Sequence, residues 1–352
     1  MWSPHTAYTN FPISMFRTIR NFFTPSCMVL LYHRVMDLYS DPQMLAVSPK
    51  NFSEHLEVLC NTMHPVSLLE LSEGIRKNHL PKHGIVITFD DGYADNLFEA
   101  KPILEGFNVP ATVFVANAYL GSTAEFWWDG LERIFLLPGD LPEGLSLSIK
   151  GHEYRWNLRD SSRYTEEEYF RYRQWNVLEP SHPTIRHRVY FELCGLLRDL
   201  PVSDREMLVR MILKWSGTSV DGRDSHKILS AEELIKLEQG ELVEVGAHTV
   251  NHPVLASISL EEQIQEIRQN KSTLEGILGH SITSFTYPFG GRSDYNRKTV
   301  SAVKDAGFAN ACSNFPGKIT KDTDIFQIPR FLVRNWTGYE FERKLNEFTL
   351  IE

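Results

Sequence analysis

The stretch Gly84-Ile85-Val86-Ile87-Thr88-Phe89-Asp90-Asp91-Gly92 runs from an apolar, β-branched segment into a doubly acidic turn. Such a short run, bounded by a turn, reads as a strand buried on both faces, the kind found in parallel sheets. Asp90 and Asp91 then sit at its C-terminal end, where the loops of α/β folds and barrels gather catalytic groups. Neighbouring side chains on an extended chain point to opposite sides. One aspartate is therefore expected to bind a ligand while the other faces a substrate.

The same arrangement recurs along the chain. Leu242 to Ala247 reads as a second strand and runs into His248-Thr249-Val250-Asn251-His252. Ile282 to Tyr287 reads as a third and runs into Pro288-Phe289-Gly290-Gly291, and Met28 to Tyr32 reads as another, ending at His33. Asp91, His248 and His252 together offer one carboxylate and two imidazoles. That set suits one divalent metal, zinc first or another first-row transition metal, with a position left open for water. Asp90 would stand beside that water. Taken singly, an Asp-Asp-Gly turn is equally a helix-capping turn, and a His-x3-His is more often a solvent-facing or core pair. Their joint occurrence at strand ends selects a hydrolytic metal site.

In these motifs the chain resembles the NodB-like polysaccharide deacetylases, carbohydrate esterase family 4. Thr88-Phe89-Asp90-Asp91-Gly92 and His248-Thr249-x-x-His252 match the family's motifs at every position, and Phe285 to Gly290 looks like the third motif of its exopolysaccharide branch. The resemblance spans about Leu30 to Leu345 apart from a long middle segment. It implies a distorted (β/α) barrel in which Asp90 is the catalytic base and Asp91, His248 and His252 bind the metal. It also implies a general acid and an arginine that orients the base. The family's late histidine has no counterpart, because no histidine follows His280. The branch carries an early Tyr-His instead, which makes His33 the candidate acid, and Arg330 in Ile328-Pro329-Arg330 is the candidate orienting arginine. The family's Asp-Trp is represented only by Asn335-Trp336.

The implied activity is removal of N-acetyl groups from an amino sugar in surface polysaccharide or lipid-linked glycan metabolism. The turn Tyr287-Pro288-Phe289-Gly290 would present a backbone N–H near Phe289 to the oxyanion, and Trp127 and Trp128 would stack on sugar rings. Two other readings stay open: an amidohydrolase or esterase acting on a non-sugar substrate, and an inactive glycan-binding relative.

The organisation expected is an N-terminal extension over residues 1–27, a barrel formed by 28–125 and 228–352, and a mixed helical insertion over 126–227. Ser48 with Pro49 opens one helix, and Ser67 with Glu70, Ser230 with Glu233 and Ser259 with Glu262 have capping-box spacing. Helices are expected over 96–104 and 300–306, a hairpin over 145–158.

Composition excludes several classes. A net charge of −9 without a basic run argues against nucleic acid as a partner. The four cysteines are widely spaced, so neither a thiolate zinc site nor a disulfide framework is expected. No apolar run is long enough to span a membrane. The N-terminus also lacks the apolar stretch of a secretory signal, which points to the cytoplasm. Met15, Phe16, Ile19, Phe22 and Phe23 fall at helical spacing around Arg17 and Arg20. A helix packed on the barrel is the preferred reading of them; the alternative is an interfacial helix in peripheral contact with the cytoplasmic membrane face.

Overall fold

The β-branched runs form parallel strands at the places their pattern predicts. A computed structural model describes residues 27–351, so the helix expected near residues 15–23 lies outside the described residues. The strands are β1 (Met28–Tyr32), β2 (His64–Pro65), β3 (Gly84–Phe89), β4 (Ala111–Val115), β5 (Val243–Ala247), β6 (Ser284–Thr286), β7 (Asn310–Cys312) and β8 (Phe331–Leu332). They make one eight-stranded sheet in the order β7-β6-β5-β4-β3-β1-β8, with β2 pairing the start of β3. Every pairing in it is parallel.

Alternation along the strands sorts the side chains. Ile85, Ile87 and Phe89 of β3 join Leu30, Val113 and Phe285 in the main core, while Val86 packs with Val29, Phe114 and Cys312 in a separate cluster. The face that carries Val86 is concave. Thr88 on β3 and Thr286 on β6 have two strands between them, yet the Arg330 guanidinium reaches both hydroxyls, at 3.1 and 2.8 Å. The sheet is thus curled into the distorted (β/α) barrel. A parallel bridge between Cys312 and Ile328 draws the chain ahead of β8 against β7.

The helices begin where the caps predict. Ser48 accepts from the Asn51 N–H ahead of helix Pro49–Thr62, and Ser67 accepts from Glu70 ahead of Leu68–Arg76. Ser230 with Glu233 and Ser259 with Glu262 form complete capping boxes for Ala231–Glu238 and Leu260–Leu278. The helix expected over 96–104 is instead a π-helical turn, Asn96–Ala100, followed by α-helix Lys101–Phe107.

The middle of the chain has its own core. Helices Trp127–Phe135, Ile185–Arg198 and Val202–Ser216, and the antiparallel hairpin Gly144–Ile149 with His152–Asn157, enclose Leu131, Phe135, Leu147, Trp156, Leu193, Leu197 and Ile212. Tyr93 and Ala116, from the turns after β3 and β4, belong to the same cluster. Among the described residues no helix is long and apolar enough to cross a membrane, and all four cysteines are free.

Gly246 lies opposite Phe114 in the β4–β5 register, and a Cβ there would collide with that buried ring. Gly246→Ala is expected to destabilise the fold by about 1–3 kcal/mol, the usual cost of overpacking a closed interior. Urea unfolding checks this; a midpoint equal to that of the parent protein would contradict it.

Candidate functional site

Asp90 and Asp91 follow β3 directly, but the chain does not stay extended through them. Asp91 has φ +77° and Gly92 φ +80°. The two carboxylates consequently line one cavity, which corrects the expectation that they diverge to opposite sides. The pleat that would separate them ends at Asp90. Gly92 is needed because its conformation is left-handed and a Cβ would press on Val115 at 3.0 Å. Three other non-glycine residues of the site loops have positive φ: Thr249 at 64°, His252 at 52° and Phe289 at 60°. Such conformations cost about 1–3 kcal/mol each and persist where the surroundings enforce them.

The cavity, of about 310 Å³, brings together His33, Asp90, Asp91, His248, His252, Phe289, Trp127 and Trp128. Asp91 Oδ1 lies 3.5 Å from His248 Nε2 and 3.4 Å from His252 Nε2, and it is buried without a hydrogen-bond partner. His248 Nδ1 meets the Thr286 carbonyl at 2.9 Å, and since only an N–H can make that bond, Nε2 is the nitrogen left facing Asp91. Burial pushes the His252 pKa down to about 3, against the pull of Asp91. Burial works in the opposite sense on Asp91, but the His248 and His252 imidazoles beside it hold its pKa at about 2. An anion and two imidazoles around an unpartnered oxygen are groups able to hold a metal ion.

Asp129, Glu132 and His226 meet the same spacing. There, however, Arg223 already donates to Glu132 at 2.9 Å and Tyr93 to Asp129 at 2.7 Å. The charge of that cluster is answered by the protein itself.

Arg330 is buried, and all five of its N–H donors are used. Nε donates to Ser313 O at 2.8 Å, Nη1 to Thr88 Oγ1 and to Asp90 Oδ1 at 2.8 Å, and Nη2 to Asp90 Oδ2 at 2.7 Å and to Thr286 Oγ1. The fork grips the Asp90 carboxylate at both oxygens. Burial would raise the Asp90 pKa; Arg330, followed by His248 and His33, outweighs it and holds the group below its usual value. His33 is half-buried in the cavity wall, with its pKa lowered by burial despite Asp91 and Asp90.

The third motif divides. The Phe289 ring packs edge-on to His252 at 4.7 Å, and among the described residues no backbone carbonyl takes the Phe289 N–H. Tyr287 corrects the expectation made for it: its ring turns into the core, stacked on Tyr295 at 3.9 Å, with the hydroxyl on Phe326 O. Strand alternation sends Tyr287 and Phe285 to that core together, away from the cavity. Pro288 and Gly290 shape the turn without lining the cavity. Trp128 stands over His252 at 5.2 Å, its Nε1 donating to Tyr93 OH. Asn335 lies elsewhere, accepting from Ser48 N and Asn51 Nδ2 beside the first helix.

Several supporting residues have no motif. Asn270 accepts from His248 N, and Glu266 accepts from Val250 N, Asn251 N and Asn251 Nδ2, so helix Leu260–Leu278 holds the histidine turn from outside. The available signal was a polar stripe, Gln263, Glu266 and Asn270, on the helix's buried face. Helix Ile185–Arg198 supplies Phe191, Cys194 and Arg198 to the cavity wall, and nothing local in its sequence announces that.

The sequence model described as polysaccharide deacetylase matches residues 77–168 and 215–311, over half of the chain, with its break inside the middle segment. A stretch of 95 residues is 32% identical to YxkH of Bacillus subtilis (strain 168), covering 26% of this chain and 33% of that protein. Another of 100 residues is 29% identical to the poly-β-1,6-N-acetyl-D-glucosamine N-deacetylase of Escherichia coli (strain K12), covering 28% of this chain and 15% of that enzyme. The matched stretch thus spans a third or less of these relatives. IcaB from Ammonifex degensii superposes with a TM-score of 0.56 at 16% identity, over 93% of this chain and 97% of that one, a likeness of fold.

Arg330→Met would leave Asp90 buried and unpaired, at an expected cost of about 3–5 kcal/mol at neutral pH. The sign with pH follows from the carboxylate. With Arg330 present its pKa is depressed, so the pair stabilises the fold above the unfolded value of about 3.9 and that contribution fades as pH falls. In the variant burial raises the pKa, and the loss should shrink toward pH 4 as Asp90 protonates. Denaturant unfolding at several pH values measures it; a deficit independent of pH would mean that Arg330 acts through packing alone.

Proposed function

Since this chain belongs to the polysaccharide deacetylase family, we propose that it is a metal-dependent N-deacetylase acting on an N-acetylated amino sugar of an oligosaccharide or lipid-linked glycan. One observation carries the reading: the unpartnered, buried Asp91 Oδ1 facing His248 and His252, next to a second carboxylate that Arg330 grips at both oxygens. The name of the Escherichia coli relative supports an N-acetyl substrate.

Two imidazoles and one carboxylate suit zinc or a related divalent ion. Bound there, such an ion supplies Lewis-acid polarisation of the acetamide carbonyl and a lowered pKa for water. The chain's own groups do the rest. Asp90, ionised and held in orientation by Arg330, accepts a proton from the water whose oxygen attacks the acetyl carbon. The Phe289 N–H donates to the oxyanion that forms. The C–N bond then breaks, and His33 delivers a proton to the departing nitrogen, leaving acetate and a free amine. Because burial lowers its pKa, protonated His33 is a stronger acid toward that nitrogen. Trp127 and Trp128 offer apolar ring faces to the sugar.

The test of the reading is metal content and turnover measured together. His248→Ala or His252→Ala is expected to lose most of about one metal per chain, since two ligands hold an ion poorly. Asp90→Asn should keep the metal and lose nearly all turnover. Activity within about tenfold of the parent, a difference of only about 1.4 kcal/mol, would remove Asp90 from the role of base.

His33→Ala should keep metal and fold while cutting turnover of an N-acetyl sugar by about a hundred- to ten-thousandfold. An aryl acetate has a leaving group that needs no proton, so its hydrolysis should fall far less. An equal loss on both substrates would assign His33 to positioning instead.

A further inference from the structure

A second cavity, of about 490 Å³, opens beside the one just described. The two share a wall. Asn314 N donates to Gly290 O at 2.8 Å; Phe289 and Asn314 line the first cavity, whereas Arg292 and Phe315, a few residues on, line the second. Gly290 allows this close approach, since its φ is +68° and a Cβ would meet Asn314 N at 2.7 Å.

The second cavity is cationic in a protein whose net charge is −9. Arg292, Arg297 and Lys304 line it, and among the described residues none of the three is in an ion pair. Aromatic rings hold two of them in place of carboxylates: the Arg292 guanidinium lies 4.0 Å over Phe315 and the Lys304 ammonium 4.8 Å over Phe326. A guanidinium stacked on a ring keeps its in-plane N–H donors for a ligand. Arg297 and Lys304 stand two turns apart on one face of helix Arg297–Asp305. The single acid there, Asp324, is spent on its own turn, accepting from Phe326 N at 3.0 Å and Gln327 Nε2 at 2.9 Å.

We propose that this cavity is a second glycan subsite, which binds an acidic sugar residue of the chain whose N-acetyl group enters the metal-site cavity. The inference rests on the deacetylase reading and adds a substrate class to it: a glycan that carries carboxylates. A uronate presents a planar carboxylate, which a guanidinium meets with two parallel hydrogen bonds, and its ring faces suit the aromatic lining.

Calorimetric titration with trigalacturonic acid tests the proposal, with chitotriose as the uncharged trisaccharide of equal length. The acidic trisaccharide should bind, with an affinity that falls as salt is added. Arg292→Gln/Lys304→Gln and Arg297→Gln/Lys304→Gln should each weaken it at least tenfold, and as all three side chains are exposed, thermal melts should match the parent. Absence of binding, equal affinity in the variants, or retention on anionic phospholipid vesicles in place of the trisaccharide would overturn the proposal. Acetate release from a neutral N-acetyl sugar is measured in parallel. Its absence would sink the deacetylase reading while the titration still decides the binding of acidic sugars.

Discussion

The bidentate pair between Arg330 and Asp90 is the constraint around which the rest of the molecule is arranged. Both groups are buried, so a charge on either one alone would be costly, and the pair persists because every donor of the fork finds an acceptor. Those acceptors come from β3, from β6 and from the segment after β7. Strands far apart in the sheet must therefore close around one planar cation. A lysine at this place would offer a point charge and three donors, too few for the five bonds made. The pair does little for net stability against a well-packed apolar alternative. Its effect is to aim the Asp90 carboxylate.

The loops around the cavity meet the same demand at the cost of backbone strain. Asp91, Thr249, His252 and Phe289 all adopt left-handed conformations that non-glycine residues avoid, and all belong to the loops around one cavity. Surrounding groups enforce them. Glu266 and Asn270 occupy the N–H groups of the histidine turn, Thr249 Oγ1 accepts from His252 N, and Arg205 donates to Asn251 O at 2.7 Å. Side chains held close to one geometry are what a preorganised site requires, and strain held by neighbouring helices is one way to obtain them.

What was legible in the sequence is what short-range physics determines. Strand cores, serine caps with their glutamates, and the strand-end positions of Asp91, His248 and His252 follow from periodicity and spacing. The direction of Asp91 did not, because it depends on a positive φ that two adjacent aspartates do not advertise. Tyr287 was misjudged for a related reason: Phe289, two residues on, lines the cavity while strand alternation carries the Tyr287 ring inward. Arg330 came into view only through a family resemblance, since its partners lie as far as 242 positions away along the chain. Phe191 and Arg198 carried no signal because they lie on an ordinary amphipathic helix whose neighbours only the tertiary fold supplies.

Besides Arg205, the middle segment is fastened to the site from two sides, and this sets what the cavity can be. On one side Trp128 donates to Tyr93, which donates to Asp129, so the turn that carries Asp90 and Asp91 continues straight into the second core. On the other, Arg198 pairs with buried Asp294 at 2.6 Å and lies over the Phe289 ring at 4.5 Å. Phe289 in turn packs against His252. Asp90, Asp91, His248 and His252 are buried behind the wall held this way, and a charge acts more strongly in such surroundings than in bulk water. The middle segment thus bears directly on the electrostatics of the residues at the strand ends, and the barrel loops and the second core are expected to respond to substitution as one unit.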